Sequence, residues 1–155
     1  MKEFDYYIFI DYSVNLIGYL IVENKKLKEL LPKLSKFSHF KDLKHKSAYI
    51  HSIRNVIAKY KILDFFIKHK IKEMRQNIEI YTDVLEFLKK HENCIINVSI
   101  DNHEYPNFKK LVNVVGREKT EVVRESQLGK NTPECRMSLV LDTLLNIERL
   151  KNARK

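Results

Sequence analysis

The chain has 155 residues, 44% of them hydrophobic and 32% charged, with 29 Lys+Arg against 20 Asp+Glu for a net charge of +9. That length and apolar content predict one domain spanning residues 1–155 around a single core, and they exclude intrinsic disorder. Gly18, Gly116 and Gly129 are the only glycines and cannot be assembled into G-x-G-x-x-G or G-x-x-x-x-G-K-[ST], which excludes folds built on glycine-rich phosphate loops.

Residues 4–10 and 15–22 are aromatic and β-branched on either side of a short turn and predict a β-hairpin. Leu27, Leu30, Leu31 and Leu34 recur at helical spacing until Pro32 interrupts, which predicts a short helix over 25–31. The polar, basic stretch 35–46 reads as a loop. Ala48, Tyr49, Ile53, Val56, Ile57 and Tyr60 follow the 3.6 period behind Ser47, a suitable N-cap, and predict a helix over 48–59.

Segment 61–68 fits either an edge strand or the middle of a helix running to 75. The strand is preferred, because an unbroken helix from 48 to 91 would be unusually long for a chain of this size. Ile71, Met74, Ile78, Tyr81, Val84, Leu85 and Leu88 form a helical stripe ending in Lys89-Lys90-His91, cations where the helix dipole favours them. Cys94–Ile100 is a continuous apolar run that resembles a buried central strand. A turn at 102–106, a short helix through Phe108, Leu111, Val112 and Val115, a weaker strand at 120–124 and a long helix opened by Thr132-Pro133 complete the order β-β-α-α-β-α-β-α-β-α.

The longest apolar runs fall well short of the roughly 18 residues of a membrane span, and Met1-Lys2-Glu3-Phe4-Asp5 lacks the h-region of a signal peptide. A cytoplasmic protein with no membrane partner is expected. Cys94 and Cys135 are single and far apart, so both are read as reduced core residues.

Charge is segregated along the chain. Residues 25–75 carry 15 Lys+Arg and 4 Asp+Glu, leaving 14 against 16 elsewhere. A concentrated basic surface suits a polyanion, because neutralising phosphates releases counterions and drives affinity. Lys36, Lys41, Lys44, Lys46 and Arg54 are the candidate phosphate contacts, and Phe37 and Phe40, set in the polar loop, are the candidate stacking residues. A merely solvated Lys-rich face is the competing explanation.

Two apolar strands run into carboxylates, the first at Asp11 and the fourth at Asp101, and in an open α/β sheet residues just past the strand ends line the ligand crevice. Asp142 interrupts the apolar stripe of the last helix, where an unpaired carboxylate is costly to bury. Together the three could hold Mg²⁺ or Mn²⁺, hard cations that take oxygen ligands. Taken singly, each has an ordinary structural explanation: a strand-end Asp forms turns or caps helices, and Asp142 can pair with Arg136 or Arg149.

These residues carry a resemblance. The chain resembles the ribonuclease H-like superfamily, and within it an uncharacterised domain family that opens with a strand ending Ile-Asp-Glu-Ser and closes with a Leu-Ala-Asp helix. Phe9-Ile10-Asp11-Tyr12-Ser13 stands at the opening motif, with Tyr12 where that family has Glu. Asp42-Leu43-Lys44 stands at its Glu-Leu-Lys segment, Val98-Ser99-Ile100-Asp101 at the central strand, Glu125-Ser126 at a Glu-Ser turn and Leu139-Val140-Leu141-Asp142 on the last helix. The resemblance implies an α/β fold with a mixed sheet, strands 1–3 antiparallel and the later strands parallel, flanked by helices. It also implies a catalytic set of Asp11, Asp42, Asp101, Glu125 and Asp142, and divalent-metal-dependent phosphodiester hydrolysis.

His103, two residues past Asp101, is either a proton-transfer group or a surface turn residue. The leading expectation is a metal-dependent nuclease acting on RNA, DNA or a hybrid. Its rivals are a non-catalytic nucleic-acid-binding module on the same fold and a protein-interaction subunit whose basic face binds an acidic partner.

Overall fold

A computed structural model of the chain describes residues 3–99, 105–116, 120–125, 128–129 and 132–153. Ten elements follow in sequence: β1 Tyr6–Ser13, β2 Leu16–Glu23, α1 Asn24–Leu30, α2 Lys46–Lys59, β3 Lys68–Glu73, α3 Asn77–Lys90, β4 Cys94–Val98, α4 Tyr105–Val115, β5 Glu121–Arg124 and α5 Pro133–Ala153. Their order is the expected β-β-α-α-β-α-β-α-β-α. The last helix opens where Thr132-Pro133 predicts, with the Thr132 hydroxyl accepting from the Cys135 amide at 3.2 Å.

The five strands form one sheet in the order β3-β2-β1-β4-β5. β1, β2 and β3 pair antiparallel, while β4 runs parallel to β1 and to β5. Both faces of the sheet are covered. Tyr7, Phe9, Leu16, Leu20 and Val22 pack with Ile53, Met137, Val140, Leu141 and Leu145 under α1, α2 and α5. On the other side Ile8, Ile10, Ile17, Tyr19, Ile21, Ile96 and Val98 pack with Ile80, Val84, Leu88, Phe108 and Val112 of α3 and α4. Two buried faces explain why these strands read as near-continuous apolar runs.

Gly18 sets how closely α5 approaches. A Cβ there would lie 3.0 Å from the Lys70 carbonyl oxygen and from Ile71, and 3.3 Å from Leu145 of α5. Gly18 is also the cross-strand partner of Asp11. The bare glycine therefore leaves the room in which α5 lies over the β1–β2 pair beside that carboxylate.

The edge strand differs from expectation. The third antiparallel strand is Lys68–Glu73, whereas Ile62–Phe65 is a 3-10 helix. Ile62 and Phe66 are spent on the core under α1 and α2, and the strand is built from Lys-His-Lys-Ile-Lys-Glu. An edge strand exposes one row of backbone groups and is commonly protected by charge, so its polarity hides it from an apolar pattern search. The stripe read from Ile71 is likewise divided: Ile71 belongs to β3, Met74 to a one-turn 3-10 helix, and α3 starts at Asn77.

Beneath β3, Asp83 accepts the Tyr19 hydroxyl at 2.8 Å and pairs with Lys70 at 2.6 Å, and Lys70 and Lys72 also pair with Glu79. Burial raises the Asp83 carboxyl, but the hydrogen bonds from Lys70 and Tyr19 and the nearby Lys charges outweigh it and hold it below its ordinary value. Among the described residues no helix is long and apolar enough to cross a membrane. Cys94 is buried and its thiol is pushed up to about 12 by that burial and the charge of Asp5, while Cys135 is half-buried; both are free.

Candidate functional site

The side-chain alternation of three parallel strands and one helix creates the site. On β1, Phe9 faces α5, so Asp11 two residues on faces it too. On β4, Asn97 pairs with Phe9 on that face, and Ser99 follows just past the strand end, its amide donating to the Ile10 carbonyl at 2.9 Å. On β5, Val123 packs against the α5 side, and Glu125 stands two residues later. Asp142 enters from α5 above. The carboxyl ends of adjacent strands and one helix thus bring Asp11, Glu125 and Asp142 to one edge of the sheet.

Asp11 is only 8% exposed. Its Oδ1 accepts the Tyr12 amide at 2.7 Å, and the Ser99 hydroxyl also donates to it. Burial above all, then the charges of Glu125 and Asp142, push its carboxyl well above the ordinary value; the two hydrogen bonds pull it back only in part. Asn97, one pair deeper on the same face, is buried with neither side-chain polar atom hydrogen-bonded among the described residues.

Asp142 is held from two sides. Its Oδ2 accepts the Phe40 amide at 2.9 Å, fixing the 35–46 loop against α5, and Asn146 donates to its Oδ1 at 3.4 Å. The ion pair with Arg136 or Arg149 that the sequence allows is not made. Arg136 donates instead to the Leu34 carbonyl, and Arg149 donates to Asn146 Oδ1 at 2.9 and 3.2 Å. Asn146 Oδ1 also receives the Ser13 hydroxyl at 3.3 Å, tying the tip of the hairpin to α5.

Beside Asp142 opens a cleft of about 360 Å³. Tyr12 and Ser13 of the hairpin form one wall, His39, Phe40 and Lys41 of the loop another, and Lys46 and Arg149 stand at its rim. Lys46 and Arg149 both sit 5.7 Å from the centre of the Phe40 ring. The Nδ1 atom of His39 is buried without a hydrogen-bond partner among the described residues.

The remaining sequence candidates divide. Lys41 and Lys46 line the cleft. Arg54 lies further along α2, on a separate groove of about 780 Å³ shared with Lys61 and Lys151. Lys36, Lys44 and Asp42 are exposed, and Asp42 does not line the cleft. Phe37 is 1% exposed in the core and offers no face to a base, which corrects its assignment as a stacking residue: a loop that is polar in composition still has to anchor itself, and Phe37 is the anchor. Phe40 is 6% exposed, with Lys46 and Arg149 over its ring. Asp101, Ser126 and His103 lie outside the described residues.

Sequence reasoning did not single out Asn146 or His39, named Arg149 only as a possible ion-pair partner of Asp142, and named Ser99 only within the central-strand motif. Asn146 and Arg149 follow Asp142 at i+4 and i+7, one helical face, so their spacing was the available signal.

The donor chemistry around Asp11 is of the hard-oxygen kind that Mg²⁺ or Mn²⁺ takes, and Asp11 is raised by its burial first and by the charges of Glu125 and Asp142 after it. By themselves, however, the described residues gather no three acidic, His or Cys groups close enough to hold an ion.

This sheet order, with Asp11 and Glu125 at the ends of β1 and β5 and α5 packed across the sheet, matches a ribonuclease H-like α/β fold. Neither a protein-family model nor a curated protein sequence matches the chain. Among solved structures the chain is similar to the crystal structure of ribonuclease H2 from Pyrococcus horikoshii OT3, at 13% identity over 95% of this chain and 76% of that one, with a TM-score of 0.57.

Proposed function

We propose that this chain is a nucleic-acid-acting protein of the ribonuclease H-like type, a divalent-metal-dependent phosphodiesterase working at the Asp11 edge of its sheet. The observation that carries the reading is the buried Asp11, raised by its burial and by Glu125 and Asp142, beside a cleft rimmed with cations. A carboxylate stays in so unfavourable a setting when a positively charged ligand is meant to share it. The similarity to a ribonuclease H2 and the motif-level resemblance to the family with Ile-Asp-Glu-Ser and Leu-Ala-Asp segments support the same reading.

Asp11 and Asp101, with Asp142, are the residues proposed to hold Mg²⁺ or Mn²⁺, and Glu125 to add negative charge nearby. Such ions, when bound, activate a water and stabilise the leaving oxygen of a phosphodiester. The protein's own contribution is placement. Tyr12 and Ser99 orient the Asp11 carboxyl, the Phe40 amide and Asn146 orient Asp142, and Lys41, Lys46 and Arg149 draw the backbone toward both. With this reading goes a cytoplasmic location, as a single domain.

One observation favours a second reading. Both Asp142 oxygens are already engaged by protein donors, which suits a structural tie on a non-catalytic nucleic-acid-binding module. Purified protein should cleave RNA, DNA or a hybrid with Mn²⁺ and lose that activity in Asp11→Asn, while Mn²⁺ raises the melting temperature of wild type alone. Absence of cleavage and of any Mn²⁺ shift, with nucleic-acid binding retained, would establish the binding module instead.

A further inference from the structure

We propose that the outer edge of β3 and the groove beside it are a docking site for an extended acidic segment of a partner protein, which adds antiparallel to β3 as a further strand. The inference is independent of the chemistry at Asp11. β3 ends the sheet order, so β2 is its one strand partner among the described residues. The register shows which of its backbone groups are spare. The Met74 amide donates to the Asn15 carbonyl at 2.6 Å, one step beyond the pair of Glu73 with Leu16, so in alternation Lys72, Lys70 and Lys68 bond to β2. His69, Ile71 and Glu73 therefore turn their N–H and C=O groups outward, away from the sheet.

Lysines commonly guard such an edge, and Lys68, Lys70 and Lys72 would serve that purpose alone. A guarded edge needs no open apolar surface next to it, yet one is present. The groove of about 780 Å³ lies on the α5 side of β3. Ile57 of α2, Ile71 of β3 and Leu144 of α5 line it while only partly buried, and Leu63, 37% exposed, adds to the same lining. Ile67, the residue before β3, is 50% exposed. His69 is the cross-strand partner of Leu20, which packs on the α5 side, so His69 and Ile71 share that face. A strand added at β3 lays every second side chain along it, toward the groove.

Charge selects the occupant. The groove carries Arg54, Lys61 and Lys151 against Asp64 and Glu148. On the opposite face Lys68, Lys70 and Lys72 form a row served by two carboxylates, Glu79 and Asp83. An added strand sets its other side chains opposite that row, where carboxylates make favourable cross-strand pairs and cations do not. The same rule disfavours a second copy of this chain, because β3 against β3 brings one lysine row onto the other. A nucleic acid would use the cations but leave the apolar lining uncovered. The matching segment alternates apolar residues, opposite His69 and Ile71, with Asp or Glu opposite the lysines.

The test is fluorescence anisotropy with a labelled peptide of about eight residues, a common strand length, alternating Val and Glu. In antiparallel addition the Val amides face β3 and the Glu amides face water. Methylating the Val nitrogens should therefore cost roughly tenfold in affinity and methylating the Glu nitrogens much less, while a peptide alternating Val and Lys should not bind. His69→Pro removes an outward N–H and spares the ladder to β2, a position where an edge strand tolerates proline, and should weaken the Val–Glu complex roughly tenfold. Arg54→Glu with Lys151→Glu, both exposed, should weaken it too and keeps the test decisive if the proline disturbs the edge. The proposal is overturned if wild type ignores the Val–Glu peptide, if the two methylated peptides bind alike, or if sedimentation shows wild-type dimers that His69→Pro separates. Displacement of the peptide by a single-stranded RNA whose own affinity falls in Arg54→Glu with Lys151→Glu, but not in His69→Pro, would overturn it in favour of nucleic acid.

Discussion

At the scale of single residues, the sheet edge places one carboxyl in conflict with its surroundings, and that conflict has a measurable sign. Asp11 is raised in the folded state by burial and by the charges of Glu125 and Asp142, from an ordinary value of 3.8. The folded chain therefore holds a proton that the unfolded chain has released at the same pH. Stability from this site is full below the ordinary carboxylate value and is lost as pH climbs toward the folded-state value; above it Asp11 opposes folding. Asp11→Asn removes the conflict. In EDTA the variant should be more stable than wild type at pH 7, by about 1.4 kcal/mol for each unit of displacement, and the gain should vanish toward pH 4. Urea melts at both pH values measure it, and a variant less stable at pH 7 would show that another group in the fold compensates the Asp11 charge. The same residue was legible in the sequence, because an apolar strand running into Asp is a visible pattern. Tyr12 was visible only as a departure from a motif, and the sheet places it on the face of its cross-strand partner Ile17, turned away from α5.

At the scale of elements, legibility followed hydrophobicity and failed where charge does the structural work. The hairpin, β4 and α5 bury apolar residues at strand or helix spacing and stand close to where their patterns placed them, while only the later part of the stripe read from Ile71 becomes α3. β3 does not, since its Lys residues serve the ion pairs with Asp83 and Glu79 and the exposed edge, while the apolar residues just before it are consumed as core. Gly18 gives no pattern at all, yet it sets the spacing between the β1–β2 pair and α5. Gly18→Ala should destabilise the protein by about 1–3 kcal/mol, the usual cost of overpacking, because the new methyl meets the backbone oxygen of Lys70 at 3.0 Å and that atom cannot rotate away. It should also weaken nucleic-acid binding, since α5 carries Asp142, Asn146 and Arg149. A variant with wild-type stability would mean that the sheet relaxes at β3 and that α5 does not depend on this contact.

At the scale of the whole molecule, the fold takes a charge excess spread over 25–75 and delivers only part of it to the acidic edge. Lys41 and Lys46 line the cleft, while Lys36 and Lys44 are exposed away from it and Arg54 lies on another groove. Two double variants with equal loss of charge separate general attraction from local contact: Lys41→Gln with Lys46→Gln, and Lys36→Gln with Lys44→Gln. If phosphates are bound where the geometry puts them, the first should reduce the slope of log affinity against log salt by about 1.4 for a single strand, two contacts at roughly 0.7 each, and the second by much less. Long-range attraction depends on net charge and would move both variants alike, with an effect that fades once the Debye length falls below about 10 Å near 0.1 M salt. Equal slopes for the two variants would therefore reduce the basic segment to a diffuse attractive surface. A loss confined to Lys41 and Lys46 would place the strand beside Asp11 and Asp142, where the proposed phosphodiester chemistry would need it.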